Sequence, residues 1–200
     1  MSEINFQELA SAVPKYYSNH PVYQSVWVGG NEIVHGTRDN MFPRMEKIRL
    51  EDIKGKVVVD IGCNLGAASF WALEHGARAT IGFDVAMEGI LLGSSIAKEY
   101  SLPAEFHLED FGIPQEKYGD VAFCFACVDD ITKENDDKRR VLRDNLLKYD
   151  VVYFETHLKH TFSNWGLPDI IRDAFDCEYL GETGENNLKR DFYRMVCKSS

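Results

Sequence analysis

The chain has 200 residues, 22 Lys and Arg against 32 Asp and Glu, a formal net charge of −10, and 44% apolar and 12% aromatic side chains. A chain of this size forms one domain with its own core, and a charged fraction of 27% with only six prolines excludes a disordered composition. No window approaches the roughly 18 apolar residues of a membrane helix, and the opening MSEINFQELA lacks the basic-then-apolar order of a signal peptide, so the expected setting is cytoplasmic with no membrane partner. The acidic balance opposes non-specific attraction to phosphate backbones, which makes nucleic acid the less favoured partner.

In residues 1–50, helical patches near 4–12 and 41–50 flank YYSNHPVYQSVWVGGNEIVHGTRDN, a stretch rich in aromatics, glycine and turn formers. No low-complexity linker follows, so this segment reads as a lid-like part of the same domain as residues 51–200. Tyr16, Tyr17, Tyr23 and Trp27 suit stacking on a planar acceptor; a seam over the sheet or a homodimer contact is the competing use.

From residue 57 the chain alternates β-branched runs with helical stretches. The expected strands are 57–62, 79–85, 104–110, 120–128, 150–157, 176–183 and 191–198, with helices at 66–75, 86–100, 134–148 and 167–175. Strands joined through helices pair in parallel by right-handed crossovers, and continuous apolar runs mark strands buried on both faces. The fold class is therefore α/β: a doubly wound, seven-stranded, mostly parallel sheet. The last two strands are joined only by GENNLKR, which predicts an antiparallel C-terminal hairpin.

Ligands in such sheets bind beyond the carboxyl ends of the strands, near the switch point beside the first strand. VVVDIGCNLG places a strand, then Gly62, then Gly66 where a helix begins, so a ligand can approach backbone and helix amides closely. Asp84 ends the next strand, 24 residues after Asp60, where a carboxylate can accept both hydroxyls of a ribose. Glu109, Asp110 and Phe111 end the third strand, offering a carboxylate and a ring to an adenine, and Phe125 to Asp130 end the fourth on the reacting side. The dinucleotide fingerprint G-x-G-x-x-G fails, because Asn64 and Ala67 occupy its second and third glycine positions; this disfavours NAD.

Cysteines at 63, 124, 127, 177 and 197 do not make a secreted disulfide framework. Cys124 and Cys127 form a C-x-x-C, but within VAFCFACV read as a strand their side chains point to opposite faces, so no metal site is expected there.

D-I-G-C-N-L-G after a strand, Asp84 closing the second strand, Asp110 closing the third and the terminal hairpin together resemble the class I S-adenosylmethionine-dependent methyltransferases over roughly residues 55–200. The resemblance implies S-adenosyl-L-methionine as cofactor. It implies that Asp60 with Gly62, Cys63, Asn64 and Gly66 holds the methionine part, that Asp84 holds the ribose with Val85 beside the adenine, and that Asp110 and Phe111 hold the adenine ring. VWVGGNEIVHGTRD followed by FPRMEKI also resembles the subgroup that contains the carboxymethyl transferase of tRNA wobble uridine and related small-molecule enzymes. That implies cofactor and acceptor contacts at Trp27, Arg38 and Arg44. The expected activity is methyl transfer to an oxygen or nitrogen of a small-molecule acceptor; the alternatives are an RNA-modifying methyltransferase and a catalytically silent nucleotide-binding module on the same fold.

Displacement at a sulfonium methyl needs mainly alignment and desolvation, and a base only where the acceptor must lose a proton. Candidate bases are His35 in V-H-G-T-R, the adjacent carboxylates Asp129 and Asp130 past the fourth strand, and His157 past the fifth. A structural reading stands beside each: a loop histidine satisfied by a neighbour, or carboxylates that cap a helix. Glu155 and His157 share one face of F-E-T-H and with an aspartate could hold a cation, but the Asp-Asn pairing of cation-dependent relatives is absent, so no metal is assigned. His160 and Trp165 lie in the loop beyond.

Overall fold

A computed structural model describes residues 5–6, 24–36, 41–132, 135–156, 167–184 and 189–198, with backbone only at 41 and 42. Its elements in chain order are β1 (Val26–Val28), β2 (Asn31–Val34), α1 (Met41–Met45), α2 (Leu50–Ile53), β3 (Val57–Ile61), α3 (Ala67–Glu74), β4 (Ala79–Asp84), α4 (Met87–Glu99), β5 (Ala104–Leu108), β6 (Val121–Phe125), α5 (Val128–Thr132), α6 (Asp136–Leu146), β7 (Val151–Glu155), α7 (Asp169–Arg172), β8 (Phe175–Thr183) and β9 (Arg190–Cys197). Seven strands form one sheet in the order β5-β4-β3-β6-β7-β9-β8. The first five in sequence pair in parallel, while β9 runs antiparallel to both β7 and β8. The doubly wound sheet and its C-terminal hairpin are as the sequence predicts.

The two-residue period of the strands divides the core into two layers. Val121 and Phe123 of β6 and Tyr153 of β7 join Phe70 of α3 and Ile96 of α4 on one face. Ala122 and Cys124, with Val152 and Phe154, join Leu142 and Leu146 of α6 on the other. Both faces are covered, which is why these strands read as unbroken apolar runs. Asp60 shares the face of Val58, and its carboxylate is directed at α3.

Three local expectations are corrected. The sequence pattern places no strand before residue 57, yet β1 and β2 form a hairpin whose turn, Gly29-Gly30, has φ of 60° and 75°. Two consecutive left-handed positions make the type I′ turn that matches strand twist, and glycine adopts them without strain. The strand expected over 120–128 ends at Phe125, because Ala126 turns left-handed at φ 54° and Val128 already starts α5. The single helix expected over 134–148 begins at Asp136, since Asn135 caps it by accepting the amides of Asp137 and Lys138 at 2.9 and 3.0 Å.

The segment ahead of the sheet is bonded to it through Asp52. Its carboxylate accepts the Tyr153 hydroxyl at 2.6 Å and the Arg194 guanidinium at 2.8 and 2.9 Å, joining α2 to β7 and β9. Burial opposes ionisation of Asp52, but the donors on Arg194 and Tyr153 hold its carboxyl below the usual range. Asp52→Ala should therefore cost about 2 kcal/mol, since it strands a half-buried cation and a hydroxyl. An unchanged urea midpoint would show that this junction contributes nothing.

Candidate active site

The carboxyl ends of β3, β4 and β6 surround the loop 62–66. Gly62 (φ 72°) and Gly66 (φ 81°) occupy left-handed backbone, and neither has room for a side chain. A Cβ on Gly62 would stand 2.8 Å from Cys127 Cβ, and one on Gly66 2.4 Å from the Phe106 ring. The loop hangs from β4: the amides of Gly62 and Cys63 donate to Phe83 O at 2.8 and 3.1 Å. Asn64, itself left-handed at φ 50°, donates its amide to Asp84 Oδ2 at 2.8 Å, and its side-chain oxygen accepts the Leu65 amide at 2.8 Å. The other oxygen of Asp84 accepts the Ala86 amide at 2.8 Å, at the start of α4. A carboxylate oxygen has two lone pairs, so both can still accept from a ligand.

Asp60 lies beneath this loop, 3% exposed, accepting the Ser69 hydroxyl at 2.7 Å. Burial pushes its pKa up to about 6; the Ser69 bond works against that, the charge of Asp84 adds to it, and the Arg44 guanidinium opposes it. Burial, Asp60 and Asp84 together hold the Cys63 thiol well above its ordinary range, so it is neutral packing in the loop. The cup is thus acidic and under-neutralised, an environment suited to a cation.

At the third strand, Asp110 Oδ1 accepts the Gly112 amide at 2.7 Å. The Phe111 ring is buried in the core, 5.4 Å from the Phe83 ring. Val85 is 58% exposed beside Asp84. Phe125 faces the amino-terminal segment: its ring stacks on Phe123 at 5.1 Å and lies 5.3 Å under the Arg44 guanidinium.

Arg44 is buried and ion-paired with Glu155 at 2.8 Å, and Arg190 stands 3.9 Å from the same carboxylate oxygen. The Thr183 hydroxyl donates to the other oxygen. This pairing closes α1 onto the end of β7. Asp129 is buried and Asp130 exposed in the first turn of α5. His35 is exposed, with Nδ1 3.1 Å from Glu32 on the same hairpin. Trp27 lines a cavity of about 490 Å³ between the hairpin, α1, α2 and the outer face of α3, with Trp71, Glu74 and His75. Arg38, His157, His160, Trp165, Tyr16, Tyr17 and Tyr23 lie outside the described residues.

Sequence reasoning missed Ser69, Gly89 and Gly93. Side chains on the two glycines would stand 3.0 Å from Asn64 O and 3.1 Å from Leu65 O, so their absence lets α4 press against the loop. The signal was present as two glycines four apart in a helical run, one face of α4.

No protein-family model matches the chain. The tRNA U34 carboxymethyltransferase of Campylobacter lari is 34% identical over 116 residues, 53% of this chain and 38% of that protein. The chain thus spans under half the length of this curated relative. Magnesium protoporphyrin IX methyltransferase from Synechocystis, solved with S-adenosylmethionine bound, superposes with a TM-score of 0.61 at 19% identity, covering 78% of this chain and 76% of its own. The fold is that of the class I methyltransferases. The bifunctional kinase-methyltransferase WbdD covers 96% of this chain and 46% of its own, with a TM-score of 0.70 at 17% identity.

If the acidic cup receives a cation, Asp60 must be ionised to hold it, and binding displaces its proton. Affinity for S-adenosylmethionine should fall as pH drops through about 6, and Asp60→Asn should flatten the profile. Because the folded value lies above the reference 3.8, ionised Asp60 also costs stability: its contribution is most favourable below the reference value and is lost as pH rises through about 6. A wild-type affinity that is flat from about pH 5 to about pH 8 would show that Asp60 does not meet the cation.

Proposed function

We propose that this protein is an S-adenosylmethionine-dependent methyltransferase acting on an oxygen or nitrogen of a small-molecule acceptor. The observation that carries the cofactor is the cup itself: two glycines that exclude side chains, a buried carboxyl with a raised pKa and a strand-end carboxylate with accepting capacity left. These residues fit the group. Bound there, S-adenosylmethionine supplies an activated methyl on a positively charged sulfur.

The residues of this chain then bind and orient. Asp60 and the loop Gly62, Cys63, Asn64 and Gly66 take the methionine part, Asp84 the ribose hydroxyls, and Val85 and Asp110 the adenine edge. The aromatic wall of Phe125 and Phe192, with rings 5.5 Å apart, excludes water from the acceptor side. Asp129, Asp130 and His35 are the candidate acceptors of a proton, and His157 and Arg38 complete the set proposed from the sequence. Trp27 lines a cavity beside α3, which makes it an acceptor contact only for a group that reaches that cavity. Arg44 is already held by Glu155, so it contributes as the clasp of the amino-terminal segment and as a counter-charge near Asp60.

The net charge of −10 favours a small acceptor over a polyanion. A tRNA acceptor is the second reading, favoured by the relative that modifies tRNA. Among the described residues no helix is long and apolar enough to cross a membrane.

The test is transfer of isotopically labelled methyl from S-adenosylmethionine by the purified protein to two pools from one lysate, total tRNA and small metabolites. Label in the metabolite pool is expected. Label confined to tRNA would replace the acceptor assignment, and failure to bind S-adenosylmethionine at all would remove the methyltransferase reading.

A further inference from the structure

The left-handed residue that ends β6 brings together two thiols that a straight strand would hold apart. With Ala126 at φ 54°, Cys127 Sγ comes to 3.6 Å from Cys124 Sγ. Both side chains are buried, Cys124 completely and Cys127 to 9% exposure. Cys127 also touches the cofactor loop: its thiol donates to Ile61 O at 3.3 Å, and its Cβ forms the surface that a Gly62 side chain would strike. A disulfide has a sulfur separation of about 2.05 Å, so closure requires the pair to approach by about 1.5 Å, within reach of side-chain rotation and a small main-chain shift.

We propose that Cys124 and Cys127 are a reversible oxidation site for a hydroperoxide, and that the disulfide weakens the adjoining cofactor cup. The second half rests on the proposed function; the first does not. In the reaction, the Cys127 thiolate attacks the peroxide O–O bond, forming a sulfenic acid and releasing hydroxide, which takes up the thiol proton as water. The Cys124 sulfur then displaces the sulfenic oxygen, which leaves as a second water with the Cys124 proton. Two thiols and one hydrogen peroxide give one disulfide and two waters.

Burial selects for an oxidant as small as hydrogen peroxide. It also holds the Cys127 thiol well above its ordinary range, behind the larger effect of its bond with Cys124, so the reaction is slow. Closing the bond removes the donor from Ile61 O and shifts Cys127, whose Cβ faces Gly62. It also tightens the turn that leads into α5, the helix that carries Asp129 and Asp130. Cys63, Cys177 and Cys197 lie in other tryptic peptides, whereas Cys124 and Cys127 share the peptide 118–133.

The reduced protein, freed of reductant, is treated with hydrogen peroxide, alkylated, digested with trypsin and weighed. Peptide 118–133 should be two hydrogens lighter and unalkylated, and dithiothreitol should reverse the change. The oxidised protein should bind S-adenosylhomocysteine at least about fivefold more weakly, the equivalent of one lost hydrogen bond, while the double variant Cys124→Ser/Cys127→Ser, which has neither the attacking nor the resolving thiol, keeps its affinity under the same treatment. Alkylated thiols throughout, or oxygen adducts alone, would overturn the disulfide. A loss of affinity that persists in the double variant would overturn the coupling to the cup. If even the reduced protein binds no S-adenosylhomocysteine, the functional reading fails, and the peptide mass still decides the disulfide.

Discussion

The carboxylate of Asp84 is the joint of the cofactor end of the sheet. One oxygen holds the amide of Asn64 and the other the amide of Ala86, so a single side chain fixes the loop after β3 against the start of α4. The left-handed backbone of Asn64 is supported by that bond and by the contact of its own side chain with Leu65. Helix α4 then presses on the loop, because Gly89 and Gly93 present no side chain to it. A negatively charged group thus satisfies donors at a helix start and keeps capacity for two more, which couples the architecture of the switch point to ligand recognition.

The charge of the protein is informative only when divided by place. A net −10 opposes non-specific attraction of a polyanion. Around one loop it is concentrated as Asp60 and Asp84: burial raises the proton affinity of Asp60, the charge of Asp84 adds to it, and the pair is the proposed seat of a cation. The compensating positive charge enters from the amino-terminal segment. Arg44 pairs with Glu155 at the end of β7 and still reduces the proton affinity of Asp60, so the same contact that docks α1 tunes the cup.

The sheet was legible in the sequence because strands buried on both faces are apolar throughout, and their crossover helices separate them by more than a hairpin can span. The loop glycines were legible because left-handed backbone packed against Cys127 and Phe106 leaves few choices of residue. What escaped depended on single residues or on distant partners. One left-handed alanine, Ala126, reverses the apparent separation of Cys124 and Cys127. Phe111 follows Asp110 at a strand end, and nothing in the local pattern says that its ring turns inward onto Phe83. The Arg44–Glu155 pair joins the front of the chain to β7, so Arg44 reads as an open cation until the fold is known. The β1–β2 hairpin is a different case: Gly29-Gly30 between VWV and NEIV is a hairpin signal in its own right, set in a stretch whose turn formers and aromatics read as loop.

The acidic glycine-lined cup is the proposed seat of S-adenosylmethionine, and calorimetric titration of the wild type beside Asp84→Ala tests that most directly. Saturable binding to the wild type and a loss of about 2–4 kcal/mol in the variant, with its thermal unfolding still cooperative, is the predicted result. Equal affinities in the two proteins, or no heat of binding in either, would contradict it.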